Sequence, residues 1–427
     1  MDARLRTRCV KREKSDEKPQ RCGGAKQVVI PLDREQYDDL WRDPAALKAY
    51  LDDLAAKSPE LFPEGWSEGY ALHGLDRESR KLPGIRWRKI VLANGSVYRL
   101  RPGFALSYCM GTVDELSYPL LLATHGVPPW LLTLGFGHSD MFWYRLVERL
   151  GRNSLVGSTV RDPRQLPEHL AADEHHVDWS GEKGYVAVTA AEGCLLGMAL
   201  TPAADDAHLQ TAYGVFAAEA RDVAPEYAPK TVNTDGWAAT QNAFPALFSS
   251  IVVVLCFLHG FLKIRDRCRK NHDLHRRVWD VSRAVTALDF RRLMGELLLW
   301  CATQKLPAPV TDMVTKLSHK TESYAVAYEH PGCRRTSNTV DRPMNRLHRL
   351  VYANRGLHGH QSSSERRLRG WALLLNFSPF AHRSNQARPY DSPAHRLNQK
   401  RYHENWLLNL VTSTSLMGFR SPAPKIR

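Results

Sequence analysis

The stretch Thr231-Val-Asn-Thr-Asp235-Gly-Trp237 decides how this chain is organised. Its short β-branched run reads as a strand, and Asp235-Gly236 ends it. A helix is expected from about Ala238 to Leu247. The apolar run Ile251-Val-Val-Val-Leu-Cys256 then reads as a second, buried strand, which closes in Cys256-x-x-His259 and opens into basic sequence. Working upstream, His169 to His176 is a strand candidate that carries Asp173, and Ser180 to Gly184 makes a turn. Tyr185-Val-Ala-Val-Thr189 is a strand, Glu192-Gly193 turns, Cys194 to Leu200 is another strand, and Asp206 to Ala220 is helix-like. Three leading strands followed by alternating helix and strand predict an α/β domain with a mixed sheet and Asp235 at a strand end.

At 427 residues the chain can bury a large core in two or three domains. Its apolar content of 43% is ordinary for a globular protein. The net charge of +14 and isoelectric point near 9.4 are not, and a field of that sign favours a polyanion or an anionic surface. The eight cysteines (Cys9, Cys22, Cys109, Cys194, Cys256, Cys268, Cys301 and Cys333) are scattered with no Cys-x-x-Cys pair, which argues against a disulfide scaffold and suits a reducing interior. The charged N-terminus has no apolar core, so no signal peptide is expected. Apolar runs of about ten residues are too short to span a bilayer, so no membrane is expected among the partners.

Residues 1–30 read as a flexible basic arm. Residues 31–160 read as an accessory, small α+β/helical region. Within it Leu47, Leu51 and Leu54 fall on one helix face, and Asn94-Gly95 marks a hairpin between two strand-like pieces. Residues 113–151 read as three short helices, the last capped by Ser139. This spacing is compatible with a DNA-binding helix-turn-helix and equally with plain helical packing. From Lys263 to Arg277 the chain is strongly basic, and residues 266–330 read as an all-helical insertion. From residue 342 to the end there are 15 Lys or Arg against three acids, Glu365, Asp391 and Glu404, and residues 381–427 read as a basic C-terminal tail.

Asp173, Asp235 and Asp341 fall at strand ends or helix starts. Singly, an acid there often serves as a cap or turn residue. Together they form a set whose mutual repulsion divalent cations would relieve. Asp178 rivals Asp173, because Val177-Asp178-Trp179 could itself be the strand. Glu296, Glu322 and Glu365 rival Asp341. Cys256 and His259 supply half a zinc site, which Cys268 and His272 could complete, but a buried thiol beside a hydrogen-bonded histidine explains the pair as well. Trp237 is suited to stacking on a base or to packing in the core.

These residues carry a family resemblance. Ala172-Asp173, then Gly181-Glu-Lys-Gly-Tyr-Val-Ala-Val188 and Gly193-Cys-Leu-Leu-Gly197, form its first part. Thr234-Asp235-Gly236 with Phe244-Pro245 and Cys256-Phe-Leu-His259 forms the second, and Thr336-Ser-Asn338-x-x-Asp341 with Arg342, Asn345 and Arg349 the third. The chain resembles a DDE/D transposase of the Mutator and IS256 type over residues 165–380. The related third segment usually ends in Glu where this chain has Asp341.

The resemblance implies a ribonuclease-H-like catalytic core formed by 165–265 and 331–380. It implies Asp173, Asp235 and Asp341 as ligands of two Mg²⁺ ions, with Mn²⁺ able to substitute. Cys256 and His259 would support the site or contact DNA, and Arg334, Arg335 and Arg342 would hold phosphates. The partners implied are double-stranded DNA, as element ends and target, and further copies of the chain in a synaptic complex. The implied setting is cytoplasmic and nucleoid-associated, and the implied activity is DNA cleavage and strand transfer. A nuclease or resolvase that cuts without joining, and an inactive transposase-derived DNA-binding protein, share the same motifs.

Overall fold

The computed structural model describes residues 26–106, 109–381, 383–384 and 389–419. Most of the expected arm, 1–25, and the last eight residues of the expected tail lie outside the described residues.

The architecture is a mixed α/β arrangement with two sheets flanked by helices. The smaller sheet has the order β1-β4-β3-β2, with β1 at Gln27–Ile30, β2 at Tyr70–Leu75, β3 at Arg88–Leu92 and β4 at Val97–Pro102. The Asn94-Gly95 hairpin joins β3 to β4, with the Asn94 side chain accepting from Ser96 N at 2.9 Å. Helices α1 (Arg34–Arg42) and α2 (Pro44–Lys57) cover this sheet. Asp33 caps α1 and Asp43 caps α2, each accepting backbone N–H groups of the first turn that would otherwise lack partners. Leu47 and Leu51 are fully buried, and Leu54 packs at the margin of the same core.

Helices α3 (Val113–Thr124), α4 (Pro129–Phe136) and α5 (Asp140–Leu150) follow, then the short α6 (Leu155–Thr159). Ser139 caps α5, whose Trp143, Leu146 and Leu150 are buried in the main core.

The larger sheet has the order β7-β6-β5-β8-β9. Its strands are β5 (His169–Trp179), β6 (Glu182–Ala191), β7 (Cys194–Thr201), β8 (Thr231–Thr234) and β9 (Val252–Leu255). The first three are antiparallel, whereas β8 and β9 run parallel to β5. This is consistent with a ribonuclease-H-like arrangement. The β5–β6 and β6–β7 turns place Ser180-Gly181 and Glu192-Gly193 at positive φ, the backbone that twists a two-residue hairpin correctly. His169–His176 and Val177–Trp179 are therefore one strand, because the turn lies beyond Trp179.

Alternation along β5 sends Ala172 to one face and Ala171 and Val177 to the other. The first face is covered by α7 (Asp206–Val223) and α8 (Ala238–Leu247), through Tyr213, Phe216 and Phe244. The insertion comprises α9 (Phe257–Arg267), α10 (His272–Ser282), α11 (Ala287–Thr303), α12 (Ala308–Ser318) and α13 (Thr321–Ala325), built on its own core of Leu274, Phe290, Leu297 and Val314. The second face of the sheet is covered by α14 (Asn338–Ala353) and α15 (Gln361–Phe377).

Two polar groups on α15 anchor it. The Asn376 amide bonds both Leu195 N and Leu195 O at 2.8 Å, serving the open edge of β7. Arg369 pairs with Glu219 of α7, both nearly buried, while Glu219 also accepts from Leu155 N and Val156 N. Arg369 also donates to the carbonyls of Gly151 and Asn153, so both charges have further hydrogen bonds beyond the pair, which a nearly buried pair needs.

Residues 393–418, within the segment read as a basic tail, form α16 (Pro393–Asn398), α17 (Trp406–Ser413) and a final turn. Leu407, Leu408, Leu410 and Val411 are buried in the main core. Ser415 accepts from Val29 N and donates to Leu61 O, which ties the small sheet to the core. Among the described residues no helix is long and apolar enough to cross a membrane.

Candidate metal centre

The register of two parallel strands builds the site. β5 pairs with β8 from His169↔Thr231 to Ala171↔Asn233. Two residues further along each chain stand Asp173 and Asp235. β8 has ended at Thr234, so β5 runs on beside an open edge. Asp235 accepts from Trp237 N at 3.0 Å, which starts α8. Glu174 follows Asp173 and points to the opposite face, where one of its oxygens takes the hydroxyls of Tyr213 and Thr240. Asp173, Glu174 and Asp235 each bring one carboxylate oxygen within 4.8 Å of the others.

Burial pushes the Asp173 carboxyl up to about 7, with the charges of Asp235, Glu174 and Asp341 adding to the shift. Burial also raises Glu174, against the hydrogen bonds of Thr240 and Tyr213. Acids raised in this way lack a countercharge. An all-oxygen set of converging carboxylates fits one hard divalent cation such as Mg²⁺. The cluster is a metal-binding candidate of the kind nucleases and hydrolases use. No protein-family model matches the chain, and no curated protein matches it.

The remaining residues singled out in the sequence are placed as follows. Asp341 lies in the first turn of α14, and its two oxygens accept from Ser337 Oγ at 3.1 and 3.2 Å. Its charge reaches Asp173 and His259, but it stands outside the set of three. Cys256 follows β9 and is buried. Its sulfur accepts from Ser337 N at 3.2 Å and lies 3.3 Å from Ser337 Oγ. Burial raises the Cys256 thiol, but His259 and Ser337 outweigh it and hold it below its usual value. Cys256 in turn raises His259 to about 9. Among the described residues the pair joins no group of three metal-ligating side chains, with Cys268 and His272 or otherwise.

Arg335 donates to the carbonyls of Ser282 and Ala284 and stacks 4.2 Å from the Tyr328 ring, so it braces the insertion. Arg334 lies 3.9 Å from Glu192, and Arg342 is exposed on α14. Asp178 sits at the far end of β5 and accepts from Gly181 N in the hairpin turn. Glu296 pairs with Arg292 and Glu322 with Arg291 on the insertion surface. Glu365 is half-buried on α15 and accepts from Leu200 N. Trp237 is 51% exposed, and its indole N–H is fixed on Ala204 O.

Sequence reasoning missed Glu174 and its two hydroxyl donors. The tandem Asp173-Glu174 was a signal, but neighbours on a strand face opposite ways, which assigns Glu174 elsewhere. The open edge past β8 lets the two carboxylates meet.

A pH dependence follows. In the metal-free protein the folded state keeps a proton on Asp173 to about pH 7, whereas the unfolded chain releases it near 3.8. The stability this confers is complete below pH 3.8 and is lost as pH rises through about 7, at up to about 1.4 kcal/mol per unit. Melting of wild type in chelator is expected to fall across that window relative to Asp173→Asn. Added Mg²⁺ should raise the melting temperature most above pH 7, where the ligands are deprotonated. Thermal scans with and without Mg²⁺ decide this, and an absent Mg²⁺ effect at alkaline pH removes the cluster as a metal centre.

Proposed function

We propose that the protein is a transposase of the DDE/D, Mutator and IS256 type that cleaves DNA at the ends of a mobile element and joins them to target DNA. The observation carrying this reading is the side-by-side placement of Asp173, within β5, and Asp235, just past the end of the parallel strand β8, with their oxygens within 4.8 Å. Asp173, Asp235 and Asp341 would hold two Mg²⁺ ions, for which Mn²⁺ could substitute. Bound metal supplies positive charge to the attacking and leaving oxygens of an in-line phosphodiester displacement.

The chain's own residues do the rest. Glu174, held on the opposite face by Tyr213 and Thr240, still brings one carboxylate oxygen within 4.8 Å of those of Asp173 and Asp235. Ser337 holds Asp341, Cys256 accepts from Ser337 N, and His259 interacts with the Cys256 thiol. Arg334 and Arg342 hold phosphates, contacts that set affinity and salt dependence more than sequence choice. Water breaks the first phosphodiester and frees a 3′-OH. That hydroxyl then displaces the 3′-oxygen of a target phosphodiester, so one bond forms as one breaks. Double-stranded DNA and further copies of the chain in a synaptic complex are the partners, in a cytoplasmic, nucleoid-associated setting.

A strand-transfer assay tests this. The protein is given a pre-cut DNA end, a target plasmid and Mg²⁺ or Mn²⁺. Joined product is expected. Cleavage of uncut DNA without joining instead assigns a nuclease or resolvase. Neither reaction with either metal, while DNA is still bound, assigns a DNA-binding protein without catalysis.

A further inference from the structure

Helix α4, Pro129-Trp-Leu-Leu-Thr-Leu-Gly-Phe136, is mostly apolar, yet Leu132 is its only buried residue. Trp130 is 59% exposed and Leu134 78%, with Leu131 and Phe136 exposed beside them. The patch continues onto α3, where the exposed Tyr118 ring lies 5.9 Å from that of Phe136. Large apolar side chains gathered on a surface in this way mark an interaction site. Next to it, Lys81, Arg145 and Arg149 line a cavity of about 170 Å³ together with Met110, Met141 and Phe142. We propose that α4 and this cavity form one docking surface for an amphipathic helix of a partner protein, with the partner's apolar face on α4 and an acidic side chain in the cavity. The surface uses none of the acids of the metal centre.

Three observations carry it. First, the two parts adjoin. Gly137 ends α4, and Ser139, which caps α5, lines the cavity. His138 between them stacks 4.0 Å from the Phe142 ring, and the Trp143 indole donates to Gly137 O at 3.0 Å. The corner is therefore held in place before a partner arrives, which lowers the cost of binding.

Second, charge selects the occupant. Three cations and no acid line the cavity. The acids nearby are engaged: Asp140 accepts from Thr133 Oγ at 2.7 Å and Glu115 from Thr112 N at 2.6 Å. A second copy joined through the same face would bring like charges together on a chain of net charge +14. A partner with acids beside its apolar stripe meets attraction instead. The cations are gathered in a small concave site, which suits one carboxylate better than a layer of lipid headgroups.

Third, the local structure selects a helix. Residues 113–150 form helices α3, α4 and α5 and present no strand edge, so strand addition has no template here. Trp130 and Leu134, one turn apart on α4, form a ridge that packs into the groove of a facing helix. Trp and Arg are the residue types that most often anchor such contacts, and methionines adapt to the partner's shape. An apolar helix offers phosphate no donor, so this face does not suit a DNA backbone.

The test uses the full chain in chelator and a labelled synthetic helix with leucines at i, i+3, i+4 and i+7 and glutamates along one flank. A scrambled peptide of the same composition keeps the charge and breaks the apolar stripe. Wild type is expected to bind the amphipathic peptide about tenfold more tightly than the scramble. Leu134→Ser should erase that preference, and Arg145→Glu should transfer it to a version with lysines in place of the glutamates. Both side chains are exposed, so melting should stay native-like. Should Leu134→Ser melt early, Trp130→Ser decides in its place. Equal binding of peptide and scramble by wild type, or a preference that survives these substitutions, overturns the proposal. Self-association in sedimentation, or binding to phosphatidylglycerol vesicles or duplex DNA, also overturns it if Leu134→Ser abolishes that binding and the peptide is not bound.

Discussion

Asp235→Asn is expected to lower DNA cleavage and joining about a thousandfold, equivalent to about 4 kcal/mol of transition-state stabilisation. The same substitution should make the metal-free protein more stable above pH 7. Both effects come from one charge. Asp235 is the first neighbour whose charge raises Asp173 after burial itself. Removing it eases ionisation of Asp173 while taking away the carboxylate that attracts the cation. Asn keeps the shape and can still accept from Trp237 N, so the start of α8 is preserved. Cleavage assays with melting in chelator separate catalysis from folding. Lost activity with a lower melting temperature would mean that Asp235 serves the fold. Asp178→Asn is the control, because that side chain caps a hairpin turn at the far end of β5.

The site was legible in the sequence where one strand was enough to read it. Asp235 was readable because a β-branched run stops at Asp-Gly, and a strand end is a local property. Placing Asp173 beside it needed the parallel register of β5 and β8, which no local pattern encodes. Glu174 was hidden by the alternation rule, which sends it to the face of Tyr213 and Thr240, although one of its oxygens still comes within 4.8 Å of the other two acids.

Helices such as Ala287–Thr303 were readable from their spacing, but the helical stretch begins at Phe257, ahead of the expected start at residue 266. The C-terminal segment was not readable, because counting charge along the chain is blind to which side of a helix bears it. Trp406-Leu-Leu-Asn-Leu-Val411 is an apolar run between basic neighbours, and it is the run that enters the core. Nor does charge predict what an acid does. Glu219 and Glu365 are both half-buried, yet both serve backbone N–H groups rather than a metal.

The crossing of α5 and α15 makes the strongest stability prediction. A Cβ at Gly370 would stand 1.9 Å from Val147 O, and one at Gly151 would stand 1.7 Å from Arg366 O. The obstructing atoms are backbone, so no rotamer change relieves the overlap. Gly370→Ala must force the helices apart. That opens the packing of Trp143, Leu146 and Leu150 against Leu368, Trp371 and Leu374, all in one core. The expected cost exceeds about 4 kcal/mol, well beyond an ordinary surface or helix substitution.

The damage would reach the site, since Asn376 and Glu365 tie α15 to β7 in the sheet that carries Asp173. Gly295→Ala is the matched comparison. Gly295 lies in α11 with no atom within 4 Å of its would-be Cβ, so alanine there should stabilise by about 0.5–1 kcal/mol through helix propensity. Denaturant midpoints for the two variants should therefore move in opposite directions. A small shift for Gly370→Ala would show that α5 and α15 do not meet this closely, and that Trp143 and Trp371 are held by something other than the glycine crossing.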